Sequence, residues 1–573
     1  MRVYGDSTGL DPASLTAGED VVLHLDASHG IDVADGVLAT DHLTLDQRAA
    51  IDDVAVAALG RWRDQNDERF TVDGICLTWI WERDLIVNVF LPTIARALAL
   101  ARAVDTYRPR SLVVMARDGV TENIVDAVAR SRGIETEDTG ARRPPPVANP
   151  ALQASRRRRG VGGLLSLGLP SMPRRGSVLL LSYWPLLPLL DRLIADRLRP
   201  AIWAQRRPTG AKRALRAAAR GGWVGAPGPW SRARARSATR RLLSATADPT
   251  PVDVEGLELG ACLHAQARAM ARKRAAEDLG HASLFRRAFR KGRIRRVVVP
   301  YDVEPRMRLV VTLAKEAGVP TLLVAHGAYP LRHTVVDMQL SDEVALWSST
   351  FGPTIWDYVR PLHVVGYPVP VEVAPERRRE DGRPPRILLL GRAKETQTAL
   401  FDDRYGMRSY VAAVEGVAAV FPDAKIIVRP APVEGPAASA RLLAAFPEMD
   451  LEIQTGGDVM EAIASCDVCL GSASTSTFQA ALPGTAVIAL NLSGYEWCWP
   501  LGGRTEVPIA RSAEELAGHL RRWADEGRLP GRDQLLEALG VDGRDPIDGL
   551  LKLVLADPPR SPTLEPSPPG PAD

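Results

Sequence analysis

Apolar and polar positions alternate on two scales along this chain. Short continuous apolar runs, each bounded by Gly, Pro or charged residues, recur with helix-period stretches between them. The runs in the middle of the chain are Arg293–Tyr301, Val319–Ala325, Glu343–Trp347 and Leu362–Gly366. Those of the second half are Arg386–Gly391, Ala424–Pro430, Val468–Gly471 and Ala486–Leu490. Runs this short and apolar on both faces read as buried parallel strands, and the intervening periodic segments as crossover helices. Helices are expected over 305–318, 407–420, 437–445, 458–465 and 512–526. Further upstream, Thr44–Arg63, Leu91–Thr106 and Thr121–Arg132 read as helices, and 21–25, 74–80 and 109–115 as strands. Strand–helix alternation on this scale predicts an α/β fold.

Charged and Pro-bearing interruptions divide the pattern. Residues 138–175 read as a linker, and Glu372–Pro385 as the main domain boundary. The expected organisation is a Rossmann-like N-terminal domain over 1–375 and a second one over 384–556. A Pro-rich tail over 557–573 is expected to be disordered. Two such halves predict two facing Rossmann-like domains with a cleft between them.

Composition changes little in this picture. The 573 residues carry a net charge of only +3, with 46% hydrophobic and 25% charged residues, as in an ordinary globular protein. The distribution of charge is less even. Arg197–Ala247 holds 13 Arg or Lys and no acidic residue, with Trp203, Trp223 and Trp230 among them. This basic helical insertion (about 197–247) reads as a contact for an anionic membrane surface or a phosphate-bearing acceptor, or else as a solvated face. No nucleic-acid module accompanies it, so no nucleic-acid partner is expected. Among five Cys, Cys466 and Cys469 form a C-x-x-C inside an apolar run with no second metal pair, so buried free thiols and no metal site are expected. No cationic-then-apolar leader opens the chain, and no apolar run approaches membrane-spanning length. A cytoplasmic protein, working at the inner face of the cell membrane through its basic stretch, is the expectation.

The densest candidate chemistry lies between the last two apolar runs. Ser472, Ser474, Thr475, Ser476 and Thr477 follow Val468–Gly471 directly, and Phe478–Leu482 begins a helix that Pro483-Gly484 stops. A helix start at the carboxyl end of a parallel strand favours anions, phosphates above all. Hydroxyls there cap the helix, bond a phosphate, or both. Arg392 and Lys394 leave one neighbouring strand and Arg429 another, and each is a candidate phosphate ligand. In the first half, Asp118, Asp302 and His326 lie just past strand ends and are candidate general bases.

Three passages carry a family resemblance. Gly318-Val-Pro-Thr-Leu-Leu-Val-Ala-His326-Gly327, Val428-Arg429-Pro430, and Gly471 to Gly484 around the hydroxyl cluster stand in this order. In these the chain resembles GT-B glycosyltransferases, in particular bacterial enzymes that build surface polysaccharides and teichoic-acid-like polymers. The resemblance implies metal-independent transfer of a sugar, or a sugar-alcohol phosphate, from a nucleotide-activated donor, with no other cofactor. It implies a glycan or lipid-linked acceptor. Ser472–Thr477 would hold the donor diphosphate, Gln479 a ribose or sugar hydroxyl, and His326 would act as base or donor contact. The chain departs from the family at Ala431 (His in the family), Gln479 (Glu), Ala486 (Pro) and Ala325 (Gln). Ala431 and Gln479 leave room for a non-catalytic glycan-binding or scaffold protein of envelope synthesis. A nucleotide-sugar 2-epimerase shares the fold, but its acidic pair and Gly-rich turn are missing.

Overall fold

A computed structural model describes residues 1–4, 22–24, 37–38, 42–114, 119–138, 173–181, 186–203, 211–225, 227–327, 340–351, 361–369, 371–379, 382–391, 403–430, 436–472, 474–491 and 505–556. Asp118, Arg392, Lys394, Ala431, Cys498 and the Pro-rich tail lie outside them.

Two doubly wound parallel sheets dominate. The central sheet has seven strands, in spatial order Trp223–Val224, Pro200–Trp203, Ser177–Leu180, Ile294–Val299, Thr321–Val324, Glu343–Leu346 and Leu362–Val364. The C-terminal sheet has six: Asp450–Ile453, Lys425–Arg429, Arg386–Leu390, Val468–Gly471, Ala486–Leu490 and Ile509–Ala510. Every pairing in both is parallel. Each sheet winds outward from its first strand in one direction, then returns to continue in the other. This is the Rossmann pattern, whose reversal point opens at the carboxyl ends of the strands. The expected α/β architecture of two facing Rossmann-like domains is present.

The region upstream of residue 375 differs from the expectation of one domain. Residues 1–138 build a separate five-stranded parallel sheet, in order Val37–Leu38, Val22–His24, Arg2–Tyr4, Ser111–Val114, Glu135–Asp138. Its first three strands are only two or three residues long. Such short runs leave no readable periodicity, which is why the sheet was not legible. Nor is the basic stretch inserted beside the central domain. It supplies the two strands at one end of the sheet, and Trp203 is 2% exposed in the core. Arginines on both sides mask the four-residue strand Pro200–Trp203. Residues 74–80 are also not a strand: Ile75–Cys76 forms half of a small hairpin, and Leu77–Ile80 is helical.

Local signals set the helices that frame the cleft. Thr44 and Gln47 form a reciprocal capping box that starts the helix Leu45–Asn66. Trp79 lies under Arg308, 3.8 Å from ring centroid to guanidinium, and Arg63 lies 5.3 Å away. Glu82 pairs with both arginines. This joint ties the first unit to the central domain. The stretch Glu82–Tyr107 is long and apolar enough to cross a membrane by length and composition, contrary to expectation, yet 83% of its 18-residue apolar window is buried in the protein. A 30-residue helix, Gly260–Phe289, lies alongside it and was not anticipated.

The chain ends by crossing back. Pro546–Leu555 starts at Asp545, whose carboxylate accepts the N–H groups of Ile547 and Asp548. Its Ile547, Leu550 and Val554 pack with Leu189, Leu193, Val298 and Leu322 on one face of the central sheet. At its other end, Arg295 donates to the Leu555 carbonyl at 2.7 Å and Arg296 to that of Leu553. Arg296 is 1% exposed and pairs with Glu343 at 2.6 Å, while His363 bonds the other Glu343 oxygen at 3.0 Å. The two large domains are thus joined through both the 371–379 segment and the last helix.

Candidate functional site

The carboxyl ends of the two large sheets meet at His326-Gly327 and Ser474–Gln479. Strand Thr321–Val324 ends in His326-Gly327, and strand Val468–Gly471 ends in the hydroxyl run. A methyl at Gly327 would lie 2.8 Å from Thr475 Oγ1, so the two turns are in contact.

The hydroxyls divide by role. Ser474 is the N-cap of a helix of only five residues, Thr475–Gln479. Its Oγ accepts the Thr477 N–H at 3.4 Å and lies 3.0 Å from Thr477 Oγ1. Thr477 is fully buried and donates to the Ser472 carbonyl at 2.7 Å. Gly471 is required here: a side chain would come within 2.4 Å of Thr477 Oγ1. Ser474 and Thr477 therefore shape the turn. Ser472, Thr475 and Ser476 are half-buried at its surface, where the first N–H groups of the helix also emerge.

Gln479 does not face a ligand. It is 8% exposed, and its Nε2 donates to the Tyr367 hydroxyl. Tyr367 packs edge-on against Trp347, with ring centroids 5.1 Å apart. Trp347 Nε1 in turn donates to the Ala325 carbonyl at 2.7 Å. A closed circuit results: Ala325, Trp347, Tyr367, Gln479, Thr475 and Gly327. It fixes His326, between Ala325 and Gly327, relative to the second domain. The sequence reading missed Trp347 and Tyr367. The signal was an aromatic residue just past each of two strand runs, Trp347 after Glu343–Leu346 and Tyr367 after Gly366. Gly540 backs this circuit with φ +70°, and a methyl there would sit 2.0 Å from the Trp347 carbonyl oxygen. Ser348 Oγ adds a bond to the Ala538 carbonyl at 2.9 Å.

His326 Nδ1 donates to the Pro300 carbonyl at 2.9 Å. A carbonyl can only accept, so Nδ1 carries the proton and Nε2 is the acceptor nitrogen of the neutral ring. Tyr301 lies against the ring at 4.9 Å. Burial depresses the imidazole pKa to about 4; the Pro300 bond opposes this, and the charge of Arg83 adds to it. The ring is neutral at pH 7.

The other candidates separate. Asp302 is fully buried, and its Oδ2 accepts both the N–H and the hydroxyl of Ser341 at 2.8 Å. It clamps the 302 turn to the 341 turn and does not open on the cleft as a base would. Arg429 is likewise engaged with protein. Its guanidinium donates to Gln454 Oε1 and the Gly456 carbonyl at 3.1 Å, to Asp458 at 3.4 Å and to Gly457 at 2.6 Å. Four acceptors on one loop engage Nη1 and Nη2, so Arg429 orders the approach to helix Val459–Ala464. Strand Ser111–Val114, which leads toward Asp118, belongs to the first sheet and not to the central one. Cys466 and Cys469 are buried free thiols, and burial raises the pKa of both. Among the described residues, no three His, Cys, Asp or Glu side chains gather as a metal site.

No protein-family profile matches the sequence, and no curated protein matches it. Solved structures similar to it include MurG of Acinetobacter baumannii, at 12% identity over 66% of this chain and 99% of that one, with a TM-score of 0.38. The lipopolysaccharide outer core galactosyltransferase WaaB matches at 10% identity over 66% and 98%, TM-score 0.38. The wall teichoic acid polymerase TagF matches at 9% over 71% and 94%, TM-score 0.34. At these scores the likeness adds nothing to what the sheet topology itself displays.

Proposed function

We propose that this protein transfers a sugar, or a sugar-alcohol phosphate, from a nucleotide-activated donor to a glycan or lipid-linked acceptor of the cell surface. The observation that carries the reading is the meeting of two Rossmann sheets at their carboxyl ends, where the turn that bears a neutral, oriented histidine touches a hydroxyl-lined helix start. For a sugar donor, the acceptor oxygen forms a bond to the anomeric carbon. The bond from that carbon to the donor diphosphate breaks, and its electron pair leaves on the diphosphate. The acceptor proton passes to His326 Nε2. In this reading Thr475, Ser476 and the adjoining N–H groups bond the departing phosphate oxygens.

The test is calorimetric titration of the full chain with nucleoside diphosphates and nucleotide sugars, followed by an assay for transfer. The Thr475→Val/Ser476→Ala variant is expected to lose roughly 10-fold or more in affinity, since bonds to a charged ligand are worth about 1.5–3 kcal/mol. Unchanged binding in that variant overturns the assignment of the turn. A second reading, a non-catalytic glycan-binding or scaffold protein, draws support from Arg429 and Gln479, both engaged with protein. Nucleotide binding without transfer to any envelope acceptor would decide for it.

The working place we infer is the inner face of the cell membrane. Helix Pro229–Ala245 buries Ala235, Ala238, Thr239 and Leu242 and leaves Trp230 90% exposed. Arg232, Arg234, Arg236, Arg240 and Arg241 are exposed on the same helix. An interfacial Trp beside unopposed arginines suits anionic headgroups. Co-sedimentation with phosphatidylglycerol vesicles, absent with phosphatidylcholine and abolished by Trp230→Ser with Arg236, Arg240 and Arg241→Gln, is the expected result.

A further inference from the structure

Four consecutive side chains, Trp81 to Asp84, enter the central domain next to the cleft. Trp81 Nε1 donates to Asp278 Oδ2 at 2.8 Å. Glu82 is held by Arg63 and Arg308. Asp84 is 8% exposed and bonded to Arg274. Arg83 differs from its neighbours. Among the described residues its guanidinium makes no hydrogen bond, and its one carboxylate contact is a loose 3.9 Å to Asp84. Its side chain is 25% exposed, so a ligand can reach it. Its neighbour Glu82 pairs with Arg308 in the helix Pro305–Glu316, which follows the Pro300 carbonyl that holds His326, so Arg83 lies at the strand end that carries His326, and its charge acts on that ring. Burial outweighs the opposing Glu304 charge and holds the guanidinium below its ordinary pKa. A largely desolvated guanidinium with five donors and no acceptor is costly unless an anion completes it. Arg is also the side chain whose planar fork matches phosphate oxygens in pairs. The helix leaves Arg83 through a π-helical turn, Ile86–Phe90, a distortion that recurs at functional sites.

We propose that Arg83 is an oxyanion-binding residue of the cleft, taking a phosphate group of a substrate beside His326. The assignment deepens the transferase reading and rests on it for the identity of that phosphate: either one carried by the acceptor or the diphosphate of the donor. It also supplies a link to the base. Burial is the main cause of the depressed His326 pKa, and an oxyanion on Arg83 offsets only the smaller contribution of the Arg83 charge, so the bound state raises the proton affinity of Nε2 modestly.

The experiment titrates full-length protein, as wild type, Arg83→Lys and Arg83→Gln, with inorganic pyrophosphate and with glycerol 3-phosphate as probes. At least one probe is expected to bind the wild type and to weaken roughly 10- to 100-fold in Arg83→Gln, the loss of charge-assisted hydrogen bonds, with partial recovery in Arg83→Lys. Loss of pyrophosphate binding assigns the donor diphosphate. Loss of glycerol 3-phosphate binding assigns an acceptor phosphate, and in turnover raises KM for the acceptor alone. NMR titration gives a second readout: the saturating probe raises the His326 pKa in wild type and leaves it unmoved in Arg83→Gln. Unfolding of Arg83→Gln should match wild type, because no hydrogen bond among the described residues is lost. Equal binding of both probes by wild type and Arg83→Gln, or by neither, overturns the proposal. Arg83-dependent phosphate binding with no sugar transfer leaves it standing and removes only the transferase reading.

Discussion

Replacing His326 with Gln is expected to lower kcat/KM by about 10²- to 10⁴-fold, the range for loss of a positioned general base. Gln can still donate to the Pro300 carbonyl, so the loop geometry is retained while the basic nitrogen is lost. Nucleotide affinity should stay within about threefold, because a base acts in the transition state and not in donor binding. The pH dependence gives the sharper check. Nε2 must be unprotonated, and burial has moved the ring pKa down from 6.5 to about 4. Activity is therefore present above that value and lost as pH falls through it. The acid limb of wild-type kcat/KM should be flat until about one pH unit above the depressed value, then fall with a slope of one. The His326→Gln profile should lack that limb. An acid limb centred near 6.5, or a variant as active as wild type, would remove His326 from the chemistry.

Replacing Arg296 with Met is expected to destabilise the central domain by about 3–5 kcal/mol, the cost of leaving a buried charge without its partner. Arg296 bridges two elements distant in sequence: it pairs with Glu343 at 2.6 Å, and it donates to the Leu553 carbonyl at the end of the last helix. Among the described residues, the substitution leaves Glu343 with His363 as its remaining charged partner, and His363 is itself 31% exposed. It also removes a bond to a terminal helix carbonyl. Amide hydrogen exchange should show faster opening across residues 546–555 before any change in the C-terminal sheet. Replacing both Arg296 and Glu343, as Met and Leu, should recover most of the loss, since an apolar pair of similar volume substitutes for a buried ion pair at little net cost. Equal stability of the single variant and wild type would show that the pair carries none of the junction.

The apolar runs of the second half were legible as strands because burial on both faces removes the polar alternation that would otherwise blur them. Ile387 and Leu389 pack on one face of the C-terminal sheet, and Leu388 and Leu390 on the other. The hydroxyl run after Gly471 was legible as a helix start for an equally local reason: Ser474 caps Thr477 three residues on. Which of those hydroxyls remain available was not legible. Whether Thr477 turns inward to the Ser472 carbonyl depends on Gly471 and on the packing of Phe478, which is fully buried. Arg429 was read as ligand-binding because it stands at a strand exit, where ligands bind, and Gln479 because the family resemblance implies a sugar or ribose contact there. Their partners, the 454–457 loop and Tyr367, lie 25 or more residues away in sequence.

The alternation of short apolar runs with amphipathic stretches is a local property, and it sufficed to determine the α/β class and the placing of His326 and Ser472–Thr477 at strand ends. Tertiary structure alone decided that the first 138 residues form their own sheet, that the basic stretch completes the central one, and that Asp302 serves as a clamp. It alone brought Glu82, next to Arg83, onto Arg308 across 226 residues of chain. Those outcomes rest on pairings between remote segments. Burial and hydrogen-bond satisfaction settle such pairings only after the chain has folded, and no window of neighbouring residues encodes them.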